Sequence, residues 1–237
     1  MIRNIIYSLT TLLIVFCSSE SIEAQDIQHI NAIEFNKLIN TEQGIILDVR
    51  TLAEVNAGHI EDATNINFYA SDFTNKLNLM RKDVPIYVYC RSGGRSAKAV
   101  RKMQELGFNK VYNLLGGISE WESNNLKVVL SEDKIVDKQK SISFSEFSEI
   151  IQSNNFVLVN FSTQWCVPCR KMKPIFEEIK EENKNIKVVF VDADINKDLL
   201  KHYTVRGVPV FIFYKNGVEN FRHVGMIDKL ELLNKIK

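Results

Sequence analysis

Short apolar runs alternate with amphipathic helical patterns along most of this 237-residue chain, and this alternation limits the fold more than any other feature. The apolar runs of the first half, which predict buried strands, lie at residues 45–47, 86–89 and 111–112. Asn31 can cap a helix before the first run, and another helix follows from about Arg95. Strands that alternate with helices usually pair in parallel, so the pattern predicts an α/β sheet.

The same alternation restarts in the second half of the chain. Helical spacing of apolar residues covers 144–151 and 172–179. The apolar runs that predict strands lie at residues 156–159, 188–191 and 210–213. Asn216-Gly217 predicts a hairpin turn, after which residues 221–224 pair back and a helix closes the chain from Asp228. The last strands should therefore be antiparallel, which makes this second sheet mixed.

A polar stretch without helical or strand periodicity separates the two halves, most clearly at residues 131–134 and 137–140. We interpret it as a linker between two α/β domains. The alternative is a long surface loop inside one domain, but loops of this length are uncommon in compact domains. The predicted organisation is a signal peptide at 1–24, a first domain at 25–128, a linker at 129–142 and a second domain at 143–237.

The first two dozen residues have the composition of a targeting segment. Arg3 is basic, and the apolar run at 5–16 carries no charge and is short for a membrane span. Ile22 and Ala24 occupy the −3 and −1 positions of a plausible cleavage site. We expect an exported, periplasmic protein, in a compartment where disulfides persist. Two alternatives stay open, both of which anchor the protein at the membrane: an uncleaved leader, or a lipid attached to Cys17.

Composition narrows the possible functions. A hydrophobic content of 45% and a charged content of 25% are typical of a folded globular protein. A net charge of +1, without an arginine-rich stripe, argues against nucleic acid as a partner. Four cysteines are too few for a disulfide scaffold. No pattern in the sequence calls for a cofactor.

Cys90 directly follows a predicted buried strand and precedes a glycine-containing loop and a helix. Gly93 and Gly94 let the backbone curl, so that successive N–H groups point inward and favour an anion. That anion can be the Cys90 thiolate, a bound oxyanion or a persulfide. We expect the pKa of this thiol to lie below the free value of about 8.5. The alternative is a core cysteine followed by an ordinary glycine turn.

This first segment resembles the rhodanese family over about 100 residues. The matching motifs are Asp48-Val49-Arg50, Glu54, Gly58-His59-Ile60, Asn65-Ile66, Leu115-Gly116-Gly117 and Trp121. The resemblance implies that Cys90 attacks a sulfur donor and carries the sulfur as a persulfide. The residues it assigns to the persulfide cradle are Arg91, Ser92, Gly93, Gly94 and Arg95.

The length of the cysteine loop helps to select the transferred atom. Four residues separate Cys90 from Arg95, one fewer than in related phosphatases, and the narrower loop favours sulfur over phosphate or arsenate. We expect Asp48 and Arg50 to form an ion pair that organises the site. We interpret His59 as a structural loop residue and not as a base.

A Trp-Cys-Val-Pro-Cys motif stands between a predicted strand and a predicted helix of the second half. Cys166 lies at the helix N-terminus, where unpaired N–H groups and the helix dipole stabilise its thiolate. Cys169 lies about one turn further on, close enough to resolve a mixed disulfide. Pro168 suits the first helical turn. A single Cys pair without nearby histidine cannot complete a tetrahedral zinc site, so we predict no metal.

The second segment resembles thioredoxin from about Phe144 to the C-terminus. The motifs that carry this resemblance, besides the Cys pair with Trp165, are Lys173-Pro174, Asp192 to Asp194 and Gly207-Val208-Pro209. It implies thiol–disulfide exchange by Cys166 and Cys169. It also implies a cis-proline at Pro209 that faces the dithiol, with Val208 pairing to the substrate backbone.

Three positions depart from the thioredoxin pattern. Asn160 stands where a buried aspartate is usual, Phe190 replaces the accompanying lysine, and Val167 replaces the common glycine between the cysteines. The aspartate assists proton transfer to the resolving cysteine in that family. Exchange could therefore be slower here, and the reduction potential cannot be carried over.

Together these features predict an exported sulfurtransferase and disulfide oxidoreductase, whose dithiol reduces the persulfide of Cys90 in a coupled step. The expected partners are a sulfur donor such as thiosulfate or a persulfide, protein or small-molecule disulfides, and an electron donor that the sequence does not name. The alternative is a thioredoxin-type disulfide reductase in which the rhodanese-like domain only binds a partner. A third reading is a regulatory disulfide between Cys90 and Cys166.

Overall fold

The computed structural model describes residues 26–130 and 141–236, so the predicted leader and most of the predicted linker lie outside the described residues. The first domain contains β1 (Asp26–Ile30), α1 (Ala32–Thr41), β2 (Ile45–Asp48), α2 (Leu52–Asn56), β3 (Thr64–Asn65), α3 (Phe73–Asn78), β4 (Ile86–Tyr89), α4 (Gly94–Glu105), β5 (Lys110–Leu114) and α5 (Gly117–Ser123). The second contains α6 (Phe144–Ser153), β6 (Phe156–Ser162), α7 (Val167–Glu182), β7 (Lys187–Asp192), α8 (Lys197–His202), β8 (Val210–Lys215), β9 (Val218–Val224) and α9 (Lys229–Lys235). Over these two ranges, no helix combines the length and the apolar character that a membrane crossing needs.

The first sheet is parallel throughout, with the strand order β1-β5-β4-β2-β3. Its central strand, β4, is buried along its whole length, as expected when helices cover both faces of a parallel sheet. Ile45 pairs with Ile86 and Asp48 pairs with Tyr89, so β2 and β4 end at the same edge. Cys90 follows β4 at that edge. The predicted parallel α/β architecture is confirmed.

The second sheet is mixed, with the strand order β7-β6-β8-β9. Strands β6 and β7 run parallel, whereas β8 runs antiparallel to both β6 and β9. Asn216 and Gly217 connect β8 to β9 with φ angles of 51° and 80°. Positive φ at both central residues matches the right-handed twist of a hairpin and explains the Asn-Gly pair. The predicted hairpin and mixed sheet are confirmed.

Side-chain caps define where several helices begin. The Asn31 side chain accepts a hydrogen bond of 2.9 Å from the Glu34 N–H, so the predicted cap of α1 is confirmed. Thr51 caps α2 in a reciprocal arrangement with Glu54, and Asp228 caps α9, the closing helix that the sequence predicts. Each cap satisfies an N–H group that has no partner within its helix.

Five elements of the first domain, namely β1, α2, β3, α3 and α5, have no counterpart among the predicted strands and helices. Strand β1 lies at the sheet edge beside β5 and is mostly polar, so it lacks an apolar run. Strand β3 has only two residues, and α3 has six. A strand of two residues is too short to show a period in the sequence.

Both described ends of the predicted linker contact their own domains. Val129 pairs with His59 in an isolated antiparallel bridge. The Ile142 N–H donates a hydrogen bond of 2.8 Å to the Asn196 side chain. The chain therefore leaves the first domain next to the loop after α2 and enters the second domain beside the start of α8.

The two domains touch. Trp165 of the second domain packs against the first-domain core that includes Cys90, as well as against its own domain's core. Leu79, from the turn after α3, packs against the core of the second domain. Because Trp165 and Leu79 each pack against the core of the other domain, the first domain lies directly beside the Cys pair.

Candidate active sites

The Cys90 loop connects the end of β4 to the start of α4. Gly93 has a φ of 91°, a left-handed conformation that turns the chain sharply into the helix. Because of this turn, the Gly93 N–H points back and donates a hydrogen bond of 3.1 Å to the Cys90 sulfur. The loop therefore has the inward-facing N–H group that the Gly93-Gly94 pattern predicts.

Ser96 is a further partner of the Cys90 sulfur. Its hydroxyl lies 3.4 Å from Sγ and 3.1 Å from the Gly93 carbonyl, and its side chain is fully buried. Burial by itself raises the pKa of the Cys90 thiol. The Ser96 hydroxyl and the backbone N–H groups of Ser96, Ser92 and Gly93 act in the opposite direction, and together they lower this pKa below its ordinary value. Cys90 is a free thiol in a site that favours its anion.

A second glycine pair supports the Cys90 loop from the side. The Ile118 and Ser119 N–H groups, at the start of α5, donate to the carbonyls of Cys90 and Arg91 at 2.8 Å and 3.0 Å. Gly117, with a φ of 63°, makes this approach possible, because a Cβ there would lie 2.6 Å from the Arg91 carbonyl oxygen. The Gly116-Gly117 motif thus shapes the loop through the backbone.

Arg95 reaches Glu54 and not the cysteine. Its Nη1 and Nη2 atoms donate to the two carboxylate oxygens of Glu54 at 2.8 Å and 2.5 Å. The guanidinium also stands over the Tyr69 ring, 5.6 Å from its centroid. The hydrogen bond from Arg95 lowers the pKa of Glu54 to about 2, so this carboxylate is ionised at neutral pH. The carboxylate of Glu54 therefore compensates the positive charge of Arg95 near Cys90, whereas Arg91 is exposed to solvent.

Asp48 and Arg50 form a buried ion pair with a closest approach of 2.6 Å. Arg50 also donates to the Gly58 carbonyl at 2.8 Å, which fixes the loop after α2. The Asn65 side chain donates to the carbonyls of Asp48 and Arg50. In the described part of the chain, these contacts hold the loop after β2 in place, and none of them reaches Cys90.

The Cys pair opens α7. Cys166 is the residue at the N-cap, Cys169 donates its N–H to the Cys166 sulfur at 3.2 Å, and the two sulfurs form a disulfide. Pro168 lies in the first turn of the helix. Cys166 is 4% exposed and Cys169 is 3% exposed, so neither sulfur is open to solvent.

The surroundings of the disulfide include a buried amide and a buried carboxylate. Asn160 faces Phe190 across β6 and β7, and its Oδ1 atom has no hydrogen-bond partner among the described residues. Trp165 donates from Nε1 to Asp194 at 2.8 Å. Burial raises the pKa of Asp194, although the hydrogen bond from Trp165 opposes this effect. Asp194 is therefore the acidic group that the structure connects to the Trp-Cys motif.

The loop before β8 contains a cis peptide bond between Val208 and Pro209. The Val208 N–H donates a hydrogen bond of 2.9 Å, and its acceptor is the carbonyl of Leu79 in the first domain. A second hydrogen bond crosses between the domains, from the Val167 N–H to the Thr64 hydroxyl at 3.2 Å. We call this contact region the interdomain seam. It is formed by Ile45, Thr64, Leu79 and Met80 on one side, and by Trp165, Cys166, Val167, Pro168 and Val208 on the other.

The structure keeps the two cysteine sites apart. Cys166 lies beside Ile45, the first residue of β2, whereas Cys90 follows the last residue of β4. Cys90 is free and Cys166 is bonded to Cys169, so this structure has no Cys90–Cys166 disulfide. Within the described ranges, no group of three or more His, Cys, Asp or Glu residues could hold a metal ion.

Several residues with a place in these sites were not selected from the sequence as site residues. Ser96 carries a weak signal, since it occupies the first turn of the helix after the cysteine loop. Glu54 stands out in the sequence only as part of a motif, although its carboxylate pairs with Arg95. Thr64 and Leu79 carry no chemical signal at all, because their importance comes only from the second domain packing on them.

Comparison with known proteins agrees with this division into two sites. The family model for the rhodanese-like domain matches residues 31–124, and the thioredoxin model matches residues 138–237. A thioredoxin from Mycoplasmoides gallisepticum is 33% identical over 93 residues, which cover 39% of this chain and 93% of that protein. A thioredoxin from Rickettsia bellii is 37% identical over 95 residues, which cover 40% of this chain and 89% of that protein.

A solved structure is similar to part of this chain. The rhodanese-related protein from Thermoplasma volcanium has 34% sequence identity, covers 44% of this chain and 99% of its own, and gives a TM-score of 0.40. The predicted combination of domains is confirmed by the two family models. The chain belongs to the thioredoxin family and carries a rhodanese-like domain ahead of its thioredoxin domain.

Proposed function

We propose that this protein is an exported enzyme with two sulfur sites, in which Cys90 transfers sulfur through a persulfide and Cys166 and Cys169 perform thiol–disulfide exchange. The observation that carries the proposal is the Cys90 sulfur, which accepts a hydrogen bond from the Gly93 N–H and lies within reach of the Ser96 hydroxyl. These donors stabilise an anionic sulfur, whether a thiolate or the terminal sulfur of a persulfide.

Sulfur loading at Cys90 follows from this arrangement. The thiolate attacks the outer sulfur of thiosulfate, a sulfur–sulfur bond forms to Cys90, and sulfite leaves with the electron pair of the broken bond. The negative charge ends on the new persulfide, which the backbone N–H groups continue to stabilise. Arg91 is the exposed cation that can attract an anionic donor, since the charge of Arg95 is compensated by Glu54.

Exchange at the second site uses the position of Cys166 at the start of α7. In the reduced protein, its thiolate attacks a disulfide of the substrate and forms a mixed disulfide. Cys169 then attacks the Cys166 sulfur, closes the internal disulfide and releases the substrate as a dithiol. The Cys169 N–H that donates to the Cys166 sulfur helps to stabilise the attacking thiolate.

The two reactions can be joined in one pathway. Cys166 attacks the outer sulfur of the Cys90 persulfide, which releases the Cys90 thiolate. Cys169 then closes the disulfide and expels sulfide. Ile45, beside Cys166, pairs with Ile86, four residues before Cys90, which corresponds to about 13 Å along the strand. Direct transfer therefore requires that the interdomain seam opens, whether the two cysteines belong to one molecule or to two.

Sulfide release from thiosulfate tests this coupling. Reduced full-length protein without a small thiol should release sulfide once, and both Cys90→Ser and Cys166→Ser should abolish the release. Unchanged release from Cys166→Ser would exclude coupling. Mixing the two variants adds a control: recovered release means that sulfur passes between molecules, and continued absence means that it passes within one.

A second candidate function is disulfide reduction alone, with the first domain as a partner-binding module. The contacts of Leu79 and Thr64 with the second domain favour this candidate, because they give the first domain a role that needs no chemistry at Cys90. Intact mass spectrometry separates the two. In the oxidised protein, whose Cys166–Cys169 disulfide cannot remove the sulfur, exposure to thiosulfate should add one sulfur atom to the wild type and none to Cys90→Ser. The second candidate predicts no addition to either.

Export is part of the proposal and is supported by the sequence of residues 1–24. Fractionation of cells that express the full-length protein tests it, together with N-terminal sequencing of the product. Cleavage after Ala24 is the expected result. A full-length cytoplasmic product would exclude export, and a lipid on Cys17 would replace cleavage after Ala24 by membrane attachment.

A further inference from the structure

The interdomain seam covers the nucleophilic face of the dithiol site. The cavity that remains between the two domains measures only about 10 Å³, which is about the space of one water molecule. Cys166 lines this cavity together with Val208 and Pro168, and Met80 and Thr64 line it from the first domain. A disulfide of another protein has no path to the Cys166 sulfur while the seam is closed.

The first domain also occupies the polar groups of this face. The Val208 N–H does not pair within its own sheet but donates to the Leu79 carbonyl. The Val167 N–H, in the first turn of α7, donates to the Thr64 hydroxyl. An incoming polypeptide could use the same two donors, since a backbone carbonyl satisfies either of them. The turn after α3 thus makes contacts of the kind that a bound polypeptide would make.

The rim of the interdomain seam is polar, which suits a contact that opens. Lys171 and Asp62 form an ion pair of 2.6 Å across it, with both side chains about half exposed. Exposed pairs of this kind contribute little, typically ~0–1 kcal/mol. Arg81 lies against Gly207 and Gly225 of the second domain, and its guanidinium is bound to Asp83. The apolar side chains of the seam include Leu79, Met80, Ile45 and Trp165.

We propose that the Leu79–Arg81 turn of this chain acts as an internal blocker: it occupies the groove formed by Trp165, Pro168 and Val208 until a substrate polypeptide displaces it. The partner that fits the groove is a disulfide-containing polypeptide that offers a backbone carbonyl to Val208 and an apolar side chain in place of Leu79. The proposal rests on the proposed exchange function of Cys166 and Cys169.

Leu79 provides the sharpest test, because it is only partly buried and packs on the second domain instead of in its own core. Leu79→Glu places a charge in the apolar part of the interdomain seam, whereas Leu79→Met conserves its volume. Asp62→Asn is an independent second variant that removes the ion pair to Lys171. Asparagine tolerates the φ of 63° at this position.

Two measurements are made on each reduced full-length protein. The first is alkylation of Cys166, quantified by mass spectrometry, with iodoacetamide and with a maleimide on a large polyethylene glycol chain. The second is the initial rate of insulin reduction with a chemical reductant as electron source. We expect Leu79→Glu to raise both large-maleimide labelling and insulin reduction by about tenfold, Asp62→Asn to raise them less, and Leu79→Met to match the wild type.

The outcomes separate this proposal from the function on which it rests. If wild-type Cys166 reacts with the large maleimide as fast as an unprotected thiol does, the groove is open and the proposal is wrong; this comparison needs no variant. If Leu79→Glu exposes Cys166 but insulin is still not reduced, the result supports occupation of the groove by the turn. It would at the same time contradict the proposed exchange function of Cys166 and Cys169. Persulfide formation at Cys90 serves as the control that the first domain remains folded.

Discussion

Arg95 is bound to Glu54 through two hydrogen bonds, of 2.8 Å and 2.5 Å, beside the Cys90 loop. The pair fixes the first turn of α4 to α2, since Glu54 also binds the Thr51 hydroxyl at 2.8 Å. An arginine so occupied is a positioning residue for the loop. The anion at Cys90 is stabilised instead by the Ser96 hydroxyl and by the N–H groups of Ser96, Ser92 and Gly93.

Replacing Glu54 with glutamine should make stability less dependent on pH. The pKa of Glu54 is lowered from 4.5 to about 2, so its stabilising effect is complete above pH 4.5 and is lost as pH falls toward 2. We expect Glu54→Gln to reduce the free energy of unfolding by roughly 1–3 kcal/mol at pH 7 and by much less near pH 2. Urea unfolding at several pH values measures this difference. An equal loss at every pH would mean that the charge of Glu54 contributes nothing.

The Ser96 hydroxyl should set part of the acidity of Cys90. Ser96→Ala removes a donor to the thiolate, so we expect the pKa of Cys90 to rise and its alkylation rate below that pKa to fall by roughly threefold to tenfold. The pH dependence of iodoacetamide alkylation at Cys90, in the oxidised protein, gives this pKa. Ser92→Ala is the matched control, because Ser92 acts through its backbone N–H, which the substitution keeps. Equal shifts in the two variants would contradict the role of the Ser96 hydroxyl.

Gly117 and Gly94 should respond differently to the same substitution. Alanine at position 117 has an unfavourable φ of 63° and a Cβ within 2.6 Å of the Arg91 carbonyl oxygen. We expect Gly117→Ala to lower the rate of persulfide formation by tenfold or more. The backbone strain of ~1–2 kcal/mol and the displacement of the Cys90 loop both contribute to this decrease. Gly94→Ala meets nothing within 4 Å and should stay near the wild-type rate. Stopped-flow measurement of sulfite release compares them; comparable rates would mean that the loop adapts.

An aspartate at position 160 should destabilise the second domain and change its proton transfer. Asn160 is buried and its Oδ1 atom has no hydrogen-bond partner among the described residues, so a carboxylate there would be ionised without a partner. Burial should raise the pKa of this aspartate, and the protein should become more stable as pH falls through that pKa. We expect Asn160→Asp to lose about 1–3 kcal/mol at pH 8 and less at pH 5. Thermal unfolding at both pH values tests this, and a loss that is independent of pH would exclude an ionised side chain.

The same variant should speed the resolving step if a proton acceptor is what the site lacks. Single-turnover reduction of insulin, followed at pH 8, measures this step. Asn160→Ala is the matched control, since it opens space without adding an acceptor. A rate increase in both variants would attribute the effect to the space and not to the carboxylate.

Local chemistry in the sequence was sufficient to predict the features that depend on neighbouring residues. The Cys90 loop, the position of Cys166 at a helix start and the Asn216-Gly217 turn each follow from residues within a few positions of one another. The edge strand β1 was missed because Asp26–Ile30 lacks an apolar run and is defined by pairing with β5, more than 80 residues away. Periodicity reports burial, and a half-exposed edge strand shows little of it.

The contacts of the interdomain seam could not be predicted for a different reason. Leu79 and Val208 lie in separate domains, and their hydrogen bond joins a backbone N–H to a backbone carbonyl, groups that every residue except proline possesses. The residue types in the sequence therefore do not indicate such a contact. The pairing of Arg95 with Glu54 was missed for a related reason, since a loop arginine beside a cysteine suggests a ligand to the sulfur, whereas an available carboxylate competes for it.

The first-domain residues that bury Cys166 should affect how fast the dithiol reacts with other molecules. Equilibrium between dithiol and disulfide is governed by the start of α7, where the sulfurs and their hydrogen bonds lie. The speed at which that equilibrium is reached depends on Leu79, Met80 and Thr64, which belong to a domain that lacks the redox pair. The redox equilibrium and the rate at which it is reached should therefore depend on residues of different domains. A substitution at Leu79 should therefore change the rate at which the dithiol reacts more than it changes the midpoint potential.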